Sequence, residues 1–128
     1  MRKEYMYPRP EELAKLRLEG VIEPAKLAIG TTFFIETVKH VYEFSVEENG
    51  ITVTSNSSDI FDGRRQACEI AGSLDEHGML FAGMIVKSKH MILNLKRTGR
   101  FVTGLVLSAS IYGKGWSYEL WKRNPVST

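Results

Sequence analysis

The stretch that decides the fold is Thr32–Ser57, TFFIETVKHVYEFSVEENGITVTSNS. Apolar and polar residues alternate through it with the period of two that marks a half-buried strand. It divides into three strands, Thr32–Val38, Val41–Glu47 and Ile51–Ser55, with Lys39-His40 between the first two. Asn49-Gly50, flanked by such alternation, is the strongest short-range signal for a two-residue hairpin, because a type I′ turn needs positive φ at both central residues. With those two residues at the tip, Glu48 faces Ile51, Val46 faces Val53 and Phe44 faces Ser55. Tyr42, Phe44, Val46, Ile51 and Val53 then share one face, and Glu43, Ser45, Glu47, Thr52 and Thr54 the other. That is the division of an antiparallel sheet with one side in the core.

The same pattern continues downstream. Gln66–Leu74 reads as a strand of small residues, and Asp75-Glu76-His77-Gly78 as a turn. Met79–Val86 reads as a buried strand hairpinned to 91–95, with Val86 opposite Met91, Met84 opposite Leu93 and Ala82 opposite Leu95. Phe101–Tyr112 is the longest strand, with Phe101, Leu105, Leu107, Ala109 and Ile111 on one face. A Gly113-Lys114 turn sets Ile111 against Trp116 and Ala109 against Tyr118; a Lys114-Gly115 turn shifts the partners but keeps the faces. About eight short strands at this spacing predict an all-β antiparallel barrel or sandwich. Gly72, Gly83 and Gly104 lie inside the predicted strands. Such glycines mark sharp bends or close backbone approach, which favours a barrel.

Upstream, residues 1–9 read as an extended arm, and 10–19 as a short helix started by Pro10 and stopped by Gly20. Leu13 and Leu16 form its apolar stripe, with Ala14 and Leu18 beside them. A helix this short needs a surface to lie on, here one end or one edge of the sheet. Residues 10–122 thus form one β domain, and 123–128 a tail.

The 128 residues suit a single domain, and 43% hydrophobic with 25% charged content is ordinary for a globular chain. A net charge of +2 does not mark a committed nucleic-acid binder. Cys68 is the only cysteine, so no internal disulfide can form, and a reducing, cytoplasmic setting is expected. The N-terminal residues lack the apolar core of a secretory signal, and no apolar run has the length of a membrane span.

No catalytic constellation emerges. His40, His77 and His90 lie in separate turns, and no CxxC or HExxH spacing is present. Cys68, in a strand of small residues, reads as a buried hydrophobe. No Gly-rich loop opens a helix to hold a phosphate. Neither enzyme activity, nor a cofactor, nor a metal is therefore expected. Arg64-Arg65 before a strand and Gly78 has the outline of the entry to a PilZ-type barrel, but Ser73 and Asp75 stand where that motif needs Asp or Asn and then Ser.

Two groups are candidate sites. Strand alternation puts Lys87, Lys89 and His90 at one end with Lys114, and Trp121, of opposite parity to Trp116 and Tyr118, is expected to be exposed nearby. A cationic rim with an aromatic suits single-stranded nucleic acid, through phosphate attraction and base stacking. Lys96, Arg97 and Arg100 are expected at the opposite end, with Asp75, Glu76 and His77. The second group is the loop with Asp59, Asp62, Arg64 and Arg65, whose carboxylates could hold a cation or exchange protons. The leading functional expectation is a non-catalytic module that binds another macromolecule or self-associates through a strand edge or its helix. Nucleic-acid binding is the alternative. A carrier of a small apolar ligand is a third reading, limited because a small barrel fills its own interior.

Overall fold

In the computed structural model the described residues are 10–56, 64–113 and 115–122. In chain order they form α1 (Pro10–Glu19), β1 (Val21–Ile22), a 3-10 turn (Pro24–Lys26), β2 (Thr32–Thr37), β3 (Val41–Glu47), β4 (Gly50–Ser55), β5 (Gln66–Leu74), β6 (Leu80–Ala82), β7 (Ile85–Val86), β8 (His90–Leu95), β9 (Gly99–Gly113) and β10 (Trp116–Trp121). The expected 1–9 arm, the 123–128 tail, Asp59, Asp62 and Lys114 lie outside the described residues.

The ladders close on themselves. β2 pairs with β3, β3 with β4, β4 with β5, β5 with β8, β8 with β9, and β9 returns to β2. Every pairing is antiparallel, as expected of an all-β barrel, and the ring passes from β5 to β8 without β6 or β7. β6 extends β5 on one flank, β10 extends β9 on another, and β1 pairs with β7 outside the ring. Phe33, Ile35, Tyr42, Phe44, Leu93 and Ile111 fill the interior with no solvent exposure. Burying each such side chain is worth about 1.5–3 kcal/mol.

The first hairpin keeps its faces but not its expected register. Glu47 pairs with Gly50, Val46 with Ile51 and Phe44 with Val53. The tip is therefore Glu48-Asn49, and Gly50, at φ +134°, carries the only positive φ among the tip residues. Partners move by two positions relative to the type I′ arrangement, so Phe44 and Val46 still point inward; a shift of one would have turned them out. At the last hairpin Gly113 pairs with Trp116 and Ile111 with Tyr118, so the Gly113-Lys114 turn gives way to 114–115. A Cβ at Gly113 would lie 2.0 Å from Nε1 of Trp116, so the indole covers the glycine.

Other expectations are corrected by bulges. β9 holds an extra residue against β8, between the His90↔Leu105 and Ile92↔Val102 pairs, and another against β2, at Leu107. Each bulge reverses the side-chain parity. Thr103, Val106, Ala109 and Ile111 consequently face the core, while Leu105 is exposed. A bulge between Glu119 and Trp121 of β10 acts likewise. Trp121, expected outside, is only 3% exposed. Its Nε1 donates to the Leu16 carbonyl of α1 at 3.3 Å.

The 79–86 segment is not one buried strand and does not hairpin onto 91–95. It breaks into β6 and β7, and Gly83 sits in the turn between them rather than in a strand. β8 instead takes β5 and β9 as neighbours. The break is held by Ser73, a buried hydroxyl that donates to Met84 O at 2.8 Å and accepts from Val86 N–H at 3.0 Å. These bonds bring β7 onto the ring, where β1 pairs with it.

α1 covers the β10 edge, as a short helix with one apolar stripe requires. Leu13 is buried and Leu16 half-buried, whereas Ala14 is exposed and Leu18 is 86% exposed, so those two do not belong to the stripe. Arg17 donates to the carbonyls of Glu119 and Leu120 and stacks over the Tyr118 ring, 4.6 Å from its centroid. Gly20 N–H closes the helix on Leu16 O at 2.9 Å. Among the described residues no helix is long and apolar enough to cross a membrane.

Candidate functional site

The expected cationic rim is only partly assembled. Leu74 pairs with His90, so the 75–78 turn shares an end with Lys87–His90 rather than with Lys96–Arg100. The antiparallel β5–β8 ladder, absent from the expected hairpin scheme, causes the reversal. Lys89 Nζ lies 4.0 Å from Glu76 Oε1, and His77 Nε2 lies 3.9 Å from Glu76 Oε2, so that end is mixed in charge. His90 Nδ1 is 2.8 Å from the Thr103 carbonyl, and Lys87 N–H donates to Gly20 O at 2.8 Å. The 87–89 turn is tied to mid-β9, because Val106 N–H donates to Lys89 O at 2.9 Å. Gly113 comes seven residues later, about 20 Å along an extended strand, so the last hairpin does not join Lys89. Trp121 is buried and offers no stacking face.

Of the second candidate group, Arg64 and Arg65 are among the described residues. Arg64 is exposed and contributes its carbonyl to Thr54 Oγ1 at 3.2 Å. Arg65 forms an ion pair with Glu43 at 3.0 Å and donates to Thr52 Oγ1 at 3.1 Å and Ser45 Oγ at 3.4 Å. It ties β3, β4 and β5 together across the polar face. Asp75 Oδ1 accepts from Met79 N–H at 2.8 Å and His77 N–H at 2.9 Å. The Met79 bond, followed by that of His77, holds the Asp75 carboxyl below its usual range. This is the turn-forming role of an aspartate. Among the described residues no group of three or more His, Cys, Asp or Glu is placed to hold a metal.

A different feature stands out. β4 pairs with β5 only from Val53↔Gln66 to Ile51↔Cys68, and β6 begins pairing at Gly72. Between them Glu69 and Ile70 pair with β8 alone. The wall of the ring is open there, and a cleft of about 620 Å³ fills the gap. Its floor is apolar, with Val46, Ile51, Cys68 and Ile70 from the strands and Leu27 and Ile29 from the segment between the 3-10 turn and β2. Glu47, Glu48 and Glu69 stand on its rim, all exposed. A shallower depression of about 330 Å³ continues past Glu69 to Asn94 and Lys96. Glu47 accepts from Thr52 Oγ1 at 3.1 Å, and Glu69 from Asn94 Nδ2 at 3.0 Å. Among the described residues none of the three rim glutamates forms an ion pair. The opening is thus greasy inside and anionic around the edge.

Pattern reading finds the components but not the site. Glu47-Glu48 is visible as an acidic hairpin tip, yet the cleft exists only because β4 starts at Gly50 while β5 runs on to Leu74. No local signal encodes that mismatch.

Cys68 lies in the cleft as a protonated thiol. Burial, with a lesser contribution from the Glu69 carboxylate, pushes it from 9.0 up to about 12. Burial likewise pushes the Tyr42 phenol from 10.0 up to about 12, partly offset by a hydrogen bond with Thr37. In both cases the folded state favours the protonated form. The stabilisation is whole below the unfolded values and is lost as pH rises through the folded ones. The urea midpoint is therefore expected to hold level up to about pH 9 and fall between 9 and 12. In Cys68→Ser the onset should move toward 10, where only the phenol remains. A midpoint unchanged at pH 11 in the parent chain would contradict these shifts.

No protein-family model matches the chain, nor does any curated protein or solved structure.

Proposed function

We propose that the protein is a non-catalytic interaction module, and that the cleft beside Glu69 and Ile70 is where it docks a cationic, amphipathic segment of another macromolecule. One observation carries this reading: an apolar floor exposed at a break in the ladder, ringed by three glutamates without ion-pair partners among the described residues. An apolar side chain entering the floor would gain the burial free energy that Val46 and Ile70 already enjoy. Lys or Arg on either side of it would meet carboxylates, which favours encounter and selects against acidic partners. The backbone of Glu69 and Ile70 lacks a strand neighbour on this side, as in recognition by strand addition. Nucleic acid is the weaker alternative, since Lys89 already faces Glu76 and the cleft would repel phosphate. A reducing compartment such as the cytoplasm suits a chain with one cysteine.

The test is binding of a fluorescein-labelled peptide of alternating lysine and leucine to the full chain, followed by anisotropy. The triple variant E47K/E48K/E69K is expected to bind roughly tenfold more weakly, since each exposed charge pair contributes about 0.5 kcal/mol. Equal affinity of the two proteins would remove the cleft from consideration.

A further inference from the structure

We infer that Lys96 is the anion-binding end of the docking groove, so that the segment taken there is extended and carries a carboxylate two residues from the lysine or arginine that meets Glu69. The inference rests on the cleft being a docking site, and deepens that reading by naming the order of charges along the partner.

Three observations support it. The first is continuity. The cleft of about 620 Å³ and the shallower depression of about 330 Å³ share Asn49, Gly50, Ile51, Cys68 and Glu69, so they form one groove that passes Glu69 and reaches Lys96. The second is charge. Lys96 is the one cation among the described residues that line the groove. It is exposed, and among the described residues it forms no ion pair. Arg100 is engaged elsewhere: its Nε donates to Asn94 Oδ1 at 3.3 Å, while Asn94 Nδ2 donates to Glu69 Oε1 at 3.0 Å. Asn94 thus stands between those two opposite charges and leaves Lys96 as the cation of the groove. A purely basic segment meets repulsion there, whereas a carboxylate at that point meets attraction. The third is spacing. Glu69 pairs with Asn94, and Lys96 follows two residues later, its N–H donating to Ala67 O at 3.1 Å. Glu69 and Lys96 are therefore diagonal neighbours, a relation that spans about 7–8 Å in a sheet. An extended segment repeats its side chains on one side every second residue, about 7 Å apart. The backbone beside Glu69 and Ile70, without a strand neighbour on this side, favours the same extended form. The carboxylate comes either from an aspartate or glutamate side chain or from the partner's own C-terminus.

The experiment is a double-mutant cycle on the full chain. Lys96→Gln removes the charge and keeps the backbone bond to Ala67. End-capped peptides KLKLE and KLKLQ, and the reversed pair ELKLK and QLKLK, compete with the fluorescein-labelled lysine–leucine peptide. In one of the two directions the glutamate peptide is expected to bind the parent roughly threefold more tightly than its glutamine counterpart, and K96Q is expected to bind both equally. A further pair, KLKL with a free or an amidated C-terminus, separates the two sources: a preference for the free acid that K96Q abolishes assigns the carboxylate to a chain end. No preference for the carboxylate in any pair, or a preference that K96Q retains in full, would overturn the anion-binding end while leaving the docking site intact. Failure of every peptide to bind either protein would overturn both readings.

Discussion

Replacing Phe33 by alanine is expected to lower folding stability by about 4 kcal/mol. Phe33 is fully buried on β2, the strand that closes the ring. It faces Phe44 across β3 and Ile111 across β9. Its ring stacks on that of Phe44, with centroids 4.9 Å apart and planes 13° from parallel. Truncation loses the transfer free energy of the ring and leaves a cavity that two neighbouring ladders prevent from collapsing. Since domains of this kind have about 5–15 kcal/mol in total, the variant should unfold at a much lower urea concentration with an unchanged m-value. Phe33→Leu, which keeps most of the volume, should cost less than half as much. If alanine and leucine proved equally mild, the interior would not be packed around this residue.

Substituting valine for Gly72 is expected to cost about 3 kcal/mol or more, and to do so locally first. Gly72 has φ +147°, where a side chain is strained. A Cβ there would lie 2.4 Å from Phe81 O and 3.0 Å from Ala82 Cα, both backbone atoms of β6. Neither can rotate away, so β6 must leave β5. Hydrogen exchange should show the amides of 80–82 losing protection while those of β2 and β3 keep theirs. Because Gly83 lines the docking cleft, the same variant should also alter peptide affinity. Gly104→Ala is the control. Its Cβ would sit 3.4 Å from Val38 Cβ, a side-chain neighbour, and its φ is not in the strained range, so the expected cost is about 1 kcal/mol or less. Similar costs at both glycines would mean that β6 is not held against β5 in the way described.

These two positions also divide what was legible from what was not. Phe44, on which Phe33 stacks, is recognisable as core from alternation alone, because strand parity is a local property that the backbone enforces at every second residue. Gly72 is visible as an oddity within a strand, but its reason is β6, which lies eight to ten residues on in sequence and against it only in space. The hairpins show the same division. Faces survived in both, while partners moved, because a shift of two residues preserves parity and only side-chain packing chooses among such registers. Trp121 marks where parity itself fails: a single bulge in β10 turned it from an expected surface aromatic into a buried one. The candidate cationic rim counted on Trp121 as an exposed aromatic, and that part of it does not form.

By itself, the order of residues determined the antiparallel β class, the helix at 10–19, the inward set of β3 and β4, and the lack of local catalytic spacing. Each of these follows from interactions between residues close together along the chain. Which strands become neighbours, where bulges reverse the pattern, and where the wall opens beside Glu69 were decided only by the tertiary structure. Those features depend on closing a ring of six ladders at once, a constraint that no short stretch of sequence contains.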